Sequence, residues 1–126
     1  MILMIGAALG LISVGFGAYS EHALKPIVTE EEFRFLMTAV RYNQVHGVTI
    51  IAIGLAVLGN SSLSNLKILK WSAAAFIIGT LLFSFSIYTS VFFGIPSLTY
   101  LTPVGGMTLM AAWFMLMVTG FLARKN

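Results

Sequence analysis

The sequence lacks cysteine and aspartate altogether, and charged residues make up only 9% of its 126 positions. The absence of cysteine excludes disulfides, thiolate metal sites and cysteine nucleophiles. A typical soluble domain carries about 25% charged residues, so this chain has too few to cover the surface of a water-soluble globule. The composition therefore excludes a soluble enzyme, a disordered chain and a nucleic-acid-binding protein, and it leaves an integral membrane protein.

Four apolar segments are long enough to cross a membrane, which requires about 20 residues for a hydrocarbon core of roughly 30 Å. The longest uncharged stretch contains two breaks, at Gly94-Ile95-Pro96 and Thr102-Pro103, because proline interrupts a helix. Helices are expected since lipid leaves backbone groups no outside partner. The sequence thus predicts an all-α bundle of four transmembrane helices in one domain (residues 1–126), with spans at about 2–19, 40–58, 68–93 and 104–122.

The connection between the first two spans holds all four glutamates of the chain. Thr29-Glu30-Glu31-Glu32 has the form of a capping box, with acids at the positive end of a new helix. No helix breaker follows before Gly47, so we expect an interfacial helix start at about 30–39 that continues into the second span. Glu30 and Arg34 lie one turn apart, and we expect them to pair.

Basic residues in short loops indicate orientation, because such loops stay in the cytoplasm. With four spans, both termini lie on the same side of the membrane. The side of the termini carries Lys67, Lys70, Arg124 and Lys125, and the other side carries Lys25, Arg34 and Arg41. Four basic residues against three favour cytoplasmic termini.

Polar residues within the spans are few, and such residues at membrane depth call for a functional hypothesis. The end of the first span, the start of the second, the end of the third and the start of the fourth all lie on one side. We therefore predict one outward-facing polar cluster that fixes the helices and binds a partner or a lipid headgroup. Its members are His22, Arg41, Tyr42, His46, Ser84, Ser86, Tyr88, Thr102, Gly105 and Gly106.

Each member also has a purely structural interpretation. Histidines near a span end can be hydrogen-bonded structure, and serines can bond to carbonyls one turn earlier. Arg41 can extend its side chain to the interface or pair with a glutamate. The spacing of His22 and His46 matches no metal motif, and Ser84 has no aspartate to orient a histidine. We therefore predict no metal, no cofactor and no catalytic residue.

Small residues recur on one face of the first span, where they allow another helix to approach closely. These residues are Gly6, Gly10, Ser13 and Gly17. They indicate either a dimer face or packing within the bundle.

Three functions remain open. The leading hypothesis is a structural or accessory membrane component without catalytic activity, in contact with lipid and with a second copy or a membrane-complex partner. The alternative is a small oligomeric transporter or proton-coupled carrier that uses His22 and His46, since imidazole changes its charge near neutral pH. An enzyme that acts on a lipid is the third.

Four segments together resemble one family: GAYSEHALK (17–25), TAVRYNQVH (38–46), FSFSIY (83–88) and TPVGG from Thr102 onward to Trp113. They are similar to the YgdD-like family of small bacterial inner-membrane proteins (domain of unknown function 423), which has eukaryotic transmembrane protein 256 relatives. The chain departs from the family pattern at Ser20-Glu21 and at Phe85. The resemblance implies a four-helix protein of the bacterial inner membrane and names no reaction.

Overall fold

The computed structural model describes residues 1–124, and this part of the chain contains helices but no strand. Lys125, which the orientation count included, lies outside the described residues. The prediction of an all-α fold is confirmed. The helices are α1 (Ile2–Tyr19), α2 (Glu30–Gly59), α3 (Ser61–Asn65), α4 (Lys67–Thr80), α5 (Ser86–Phe93) and α6 (Thr102–Ala123).

Two wider π-helical turns and one 3₁₀ helix extend these elements into four long helices. The turn Ser20–Leu24 continues α1, the turn Leu81–Phe85 joins α4 to α5, and the 3₁₀ helix Pro96–Leu101 leads into α6. The resulting helices are each long and apolar enough to cross a membrane, as the sequence predicts. They cover Ile2–Leu24, Glu30–Gly59, Lys67–Phe93 and Pro96–Ala123.

Helix α2 begins at the predicted capping box. The Thr29 hydroxyl accepts from the Glu32 backbone N–H at 3.1 Å, and the Glu32 carboxylate accepts from the Thr29 N–H at 2.8 Å. The helix then continues for 30 residues without interruption, a length of about 45 Å. Arg34 lies 3.7 Å from Glu31 rather than pairing with Glu30, because positions three apart also share a helix face.

The connection after the third span differs in part from the sequence prediction. Gly94 ends α5 in the left-handed conformation (φ 65°), which glycine adopts without a steric penalty. Pro103 does not end a helix, however. It lies in the first turn of α6, where a backbone N–H has no helical partner in any case, so α6 begins two residues earlier than predicted.

Helices α1 and α2 pack antiparallel with their backbones in close approach. A Cβ atom added at Gly54 would lie 2.7 Å from the Leu3 nitrogen, and one added at Gly6 would lie 2.8 Å from the Ile51 nitrogen. At Gly47 the added Cβ would lie 3.3 Å from the backbone of Gly10. The small-residue face of α1 is therefore occupied by α2, which supports packing within the bundle rather than a dimer face.

The buried apolar residues form two clusters. The first lies between α1, α2, α4 and α6 around Phe76, and it includes Leu9, Ile50, Ile53, Leu69, Ala73, Leu109 and Ala112. The second lies at the α1–α2 connection and includes Leu24, Leu36, Ala39, Val40, Ile87 and Tyr88. The candidate site lies against both clusters.

Candidate functional site

His46 lies on the buried side of α2 and is only 5% exposed. Its Nε2 is 3.2 Å from the indole Nε1 of Trp113 on α6, and its Nδ1 is 2.7 Å from the Tyr42 carbonyl oxygen. An indole N–H can only donate, so Nε2 accepts and the ring proton resides on Nδ1, which donates to Tyr42. The hydrogen bonds therefore hold a neutral imidazole in one tautomer between two helices.

Aromatic rings surround this imidazole. Phe76 of α4 lies 5.6 Å from the His46 ring and meets Trp113 edge to face at 5.0 Å. Tyr42 stacks on Phe83, which belongs to the π-helical turn Leu81–Phe85, and the two ring centroids are 4.3 Å apart. The rings thus connect α2, α4 and α6 at one level of the bundle.

A cavity of about 420 Å³ opens beside these rings, between α2 and α6. We call it the aromatic groove, and its lining consists of Arg41, Tyr42, Val45, His46, Phe83, Gly106, Leu109, Met110 and Trp113. Four of the predicted site residues belong to it: Arg41, Tyr42, His46 and Gly106. Its walls are mostly apolar, and among the described residues that line it only Arg41 carries a full charge.

A second group of polar contacts also lies on the buried face of α2, where that helix meets the segment from Ser84 to Tyr88. The Asn43 amide donates to the Tyr88 hydroxyl at 3.4 Å, and the Tyr88 ring stacks on Phe16 at 4.1 Å. The Ser84 hydroxyl donates to the Ala39 carbonyl at 2.8 Å. Ser84 therefore bonds across helices rather than back along its own helix, which was the structural alternative.

Three further predicted residues, Ser86, Thr102 and Gly105, lie where α6 meets the π-helical turn Leu81–Phe85. The hydroxyls of Ser86 and Thr102 are 2.8 Å apart, and Ser86 also donates to the Phe83 carbonyl one turn earlier. A Cβ atom at Gly105 would lie 2.8 Å from the Leu82 carbonyl carbon, so glycine is needed for this close approach.

The structure does not bring His22 together with the other predicted residues. Its side chain is exposed and makes no hydrogen bond or ion pair within residues 1–124. Ser20 and Leu24 are the buried residues of this turn, and His22, two positions from each, points away from the buried side. Gly10 of α1 faces Gly47 of α2, so His46 is level with the residue that follows Gly10. His22 lies eleven residues further along its helix, and at 1.5 Å per residue the two histidine backbones are roughly 17 Å apart along the bundle axis. The expectation of a single cluster is wrong for His22.

Two residues that the sequence prediction missed are central to these contacts. Asn43 is fully buried near the start of the second span, and its Oδ1 has no hydrogen-bond partner among residues 1–124. Its spacing of four residues from both Ala39 and Gly47 could have placed it on the buried face. Trp113 lies seven residues after Gly106, on the same face of α6, which could have indicated a shared site.

The part of the chain that the structure describes contains no group of three or more histidine or acidic side chains able to hold a metal ion. Arg41 is exposed and has no ion pair among these residues. A role of the ten predicted residues in binding stays a prediction.

Comparison with known proteins places the chain among membrane proteins. It is 30% identical over 121 residues to a UPF0382 membrane protein of Staphylococcus haemolyticus, covering 96% of this chain and 95% of the relative. It is 28% identical over 125 residues to the UPF0382 inner membrane protein YgdD of Escherichia coli K12, covering 99% and 92%. A UPF0382 membrane protein of Haemophilus influenzae is 27% identical over 123 residues, covering 98% and 95%.

No solved structure matches the chain significantly. A family model described as "Protein of unknown function (DUF423)" matches residues 16–106, a range that includes every predicted site residue. This match covers most of the chain and agrees with four apolar helices of membrane-spanning length. The chain therefore belongs to the DUF423 family and is a multi-pass integral membrane protein.

Proposed function

We propose that this protein is a non-catalytic structural or accessory component of the bacterial inner membrane. The observation that carries the proposal is the use of its buried polar side chains. Asn43, His46, Ser72 and Ser84 connect one helix to another, whereas Ser13, Thr80 and Thr119 bond back to their own helix. Together they do not converge on a common reaction centre.

The hydrogen bonds between helices occur at several levels of the bundle. Ser72 of α4 donates to the Ala112 carbonyl of α6 at 2.9 Å. The contacts of Ser84 with α2, of Trp113 with His46 and of Asn43 with Tyr88 add three further connections. Bonds of this kind in membrane proteins contribute about 0.6 kcal/mol on average and up to about 1.7. Together they support a stabilising role for these polar groups.

The inner-membrane location rests on the relatives, since the Escherichia coli protein is named an inner membrane protein. The proposed orientation has both termini in the cytoplasm. It rests on the basic residues counted in the sequence, because positively charged short loops remain inside.

Transport of protons through His22 and His46 finds no support in the geometry. Both ring nitrogens of His46 are engaged, and protonation of Nε2 would set two donors against each other at Trp113. His22 is too distant to pass a proton to His46 directly. A carrier would need a route that these two residues do not form.

Proton flux into liposomes separates the two functions. Reconstituted wild-type protein should show no proton flux above protein-free liposomes under an imposed pH gradient. The double variant His22→Ala/His46→Ala should be indistinguishable from wild type in this measurement. Flux in the wild type that disappears in the double variant would overturn the structural proposal and establish the carrier.

A further inference from the structure

We propose that the aromatic groove binds one anionic phospholipid, with an acyl chain along the groove and the phosphate at Arg41. The proposal rests on the membrane location and deepens the structural role, because it names what occupies the groove.

The shape of the groove suits an acyl chain. Its floor is formed by buried residues such as Leu109, whereas the residues at its mouth face outward, with Val45 49% and Met110 73% exposed. The mouth therefore opens sideways toward the lipid around the bundle. From Gly106 to Trp113 the groove follows α6 for two turns, about 10 Å, which is long enough for the part of a chain nearest the headgroup.

The charge of the groove requires an anion at one end. Arg41 lies at the end nearest the α1–α2 connection, because α2 runs from that connection into the membrane. Gly17 of α1 contacts Val40, so Arg41 is level with the last turns of α1 rather than beyond the helix. A guanidinium at this depth is unfavourable unless it reaches the interface or meets a counter-ion.

No glutamate of the chain provides that counter-ion. Glu21 pairs with Lys25, Glu31 with Arg34, and Glu32 closes the capping box. Glu30 precedes Arg41 by about three turns of α2, roughly 17 Å along the helix. Within the described residues, the Arg41 guanidinium is therefore left for an external anion.

A phosphate is a suitable partner for this cation. The planar guanidinium donates two parallel hydrogen bonds to phosphate oxygens, which gives short, charge-assisted contacts. A phospholipid supplies a phosphate and an acyl chain in one molecule, which suits an apolar groove with a cation at one end.

Binding of dioleoyl phosphatidylglycerol to the purified protein in detergent tests the proposal, with dioleoyl phosphatidylcholine and oleate as comparators. Titration followed by native mass spectrometry should give tighter binding of phosphatidylglycerol than of either comparator. Arg41→Gln should weaken it by about tenfold or more, since a hydrogen bond to a charged group is lost.

Filling the groove with a larger side chain should also weaken the binding of phosphatidylglycerol. A Cβ atom at Gly106 would have only ordinary contacts, 3.8 Å from the Phe83 ring, so Gly106→Leu is compatible with the backbone. Val45→Trp, at the exposed mouth, is a second filling variant should the first lose helicity. Lys25→Gln is the matched control, because it removes one positive charge on the same side, outside the groove.

Equal phosphatidylglycerol affinity in wild type and Arg41→Gln would overturn the proposal. Binding of oleate as tight as that of phosphatidylglycerol would also overturn it, by assigning the site to a carboxylate. The proposal would also be overturned by a monomer–dimer equilibrium that Gly106→Leu and Val45→Trp abolish, because a second copy of the chain would then be the occupant of the groove. Each of these results leaves the proton-flux test unaffected, so failure here is distinguishable from failure of the structural role.

Discussion

At the scale of single residues, a histidine in a membrane span can serve chemistry or structure, and its hydrogen bonds decide which. His46 accepts from Trp113 and donates to its own helix one turn earlier, so no ring nitrogen is left for a substrate. His22 has the opposite environment, exposed and without a hydrogen bond in the described chain. The two histidines should therefore respond differently to substitution.

Trp113→Phe should lower the thermal stability of the detergent-purified protein, by about 1 kcal/mol in free energy of unfolding. The substitution keeps an aromatic ring near Phe76 but leaves the buried Nε2 of His46 without a donor. Thermal denaturation followed by circular dichroism measures the effect. His22→Ala is the control and should match wild type. Equal losses in both variants would contradict the assignment of His46 as the structural histidine.

At the scale of helices, close approach of backbones determines which polar groups meet. Gly54 and Gly6 set the register between α1 and α2, because the backbones meet at these positions. Gly105 likewise brings α6 against the π-helical turn Leu81–Phe85. The wider turn at Leu81–Phe85 contains Ser84, whose hydroxyl bonds to α2, and Phe83 of the aromatic groove. The packing of α1, α2 and α6 thus depends on positions where a side chain has no room.

Gly54→Ala should destabilise the bundle by about 1–3 kcal/mol, because the new methyl group would meet the backbone of Leu3 rather than a flexible side chain. Gly15→Ala on α1 is the matched control, since a Cβ there has nothing within 4 Å and alanine favours the helix. Thermal unfolding of the two variants in the same detergent makes the comparison. A Gly54 variant as stable as the Gly15 variant would refute this packing.

At the scale of the whole molecule, four helices place both chain ends on one side of the membrane and the α1–α2 connection on the other. The aromatic groove lies toward the side of that connection, since Arg41 is on the α2 segment nearest to it. Orientation therefore decides which leaflet supplies the groove with lipid. With cytoplasmic termini, as proposed, the supply comes from the outer leaflet of the inner membrane.

Reporter fusions to the carboxyl terminus test this orientation in bacterial cells. A green fluorescent protein fusion should be fluorescent and an alkaline phosphatase fusion inactive, because the positively charged side stays inside. The same reporters inserted between Lys25 and Thr29 should give the reverse pattern. Phosphatase activity at the carboxyl terminus would invert the orientation and move the groove to the cytoplasmic leaflet.

Much of the helical architecture could be predicted because it depends on local properties of the sequence. The capping box at Thr29 and the break at Gly94 follow from neighbouring residues alone. The sequence predicts a break at Pro103, whereas this residue lies in the first turn of α6. The pattern cannot separate the two cases, because a proline is typical both of the end of one helix and of the first turn of the next. The candidate site was predicted only in part, since Asn43 and Trp113 gain their importance from residues distant in the chain.

The sequence by itself determined that this is a membrane protein of four helices, because the length of an apolar run and the absence of charge decide membrane insertion span by span. Only the tertiary structure decided that His46 meets Trp113 and that Ser84 meets Ala39. It also decided that His22 lies apart from the other predicted residues. The reason is geometric. Contacts between helices depend on their register and rotation, which arise from close packing at glycines and at a widened turn and cannot be derived from the pattern of any one helix.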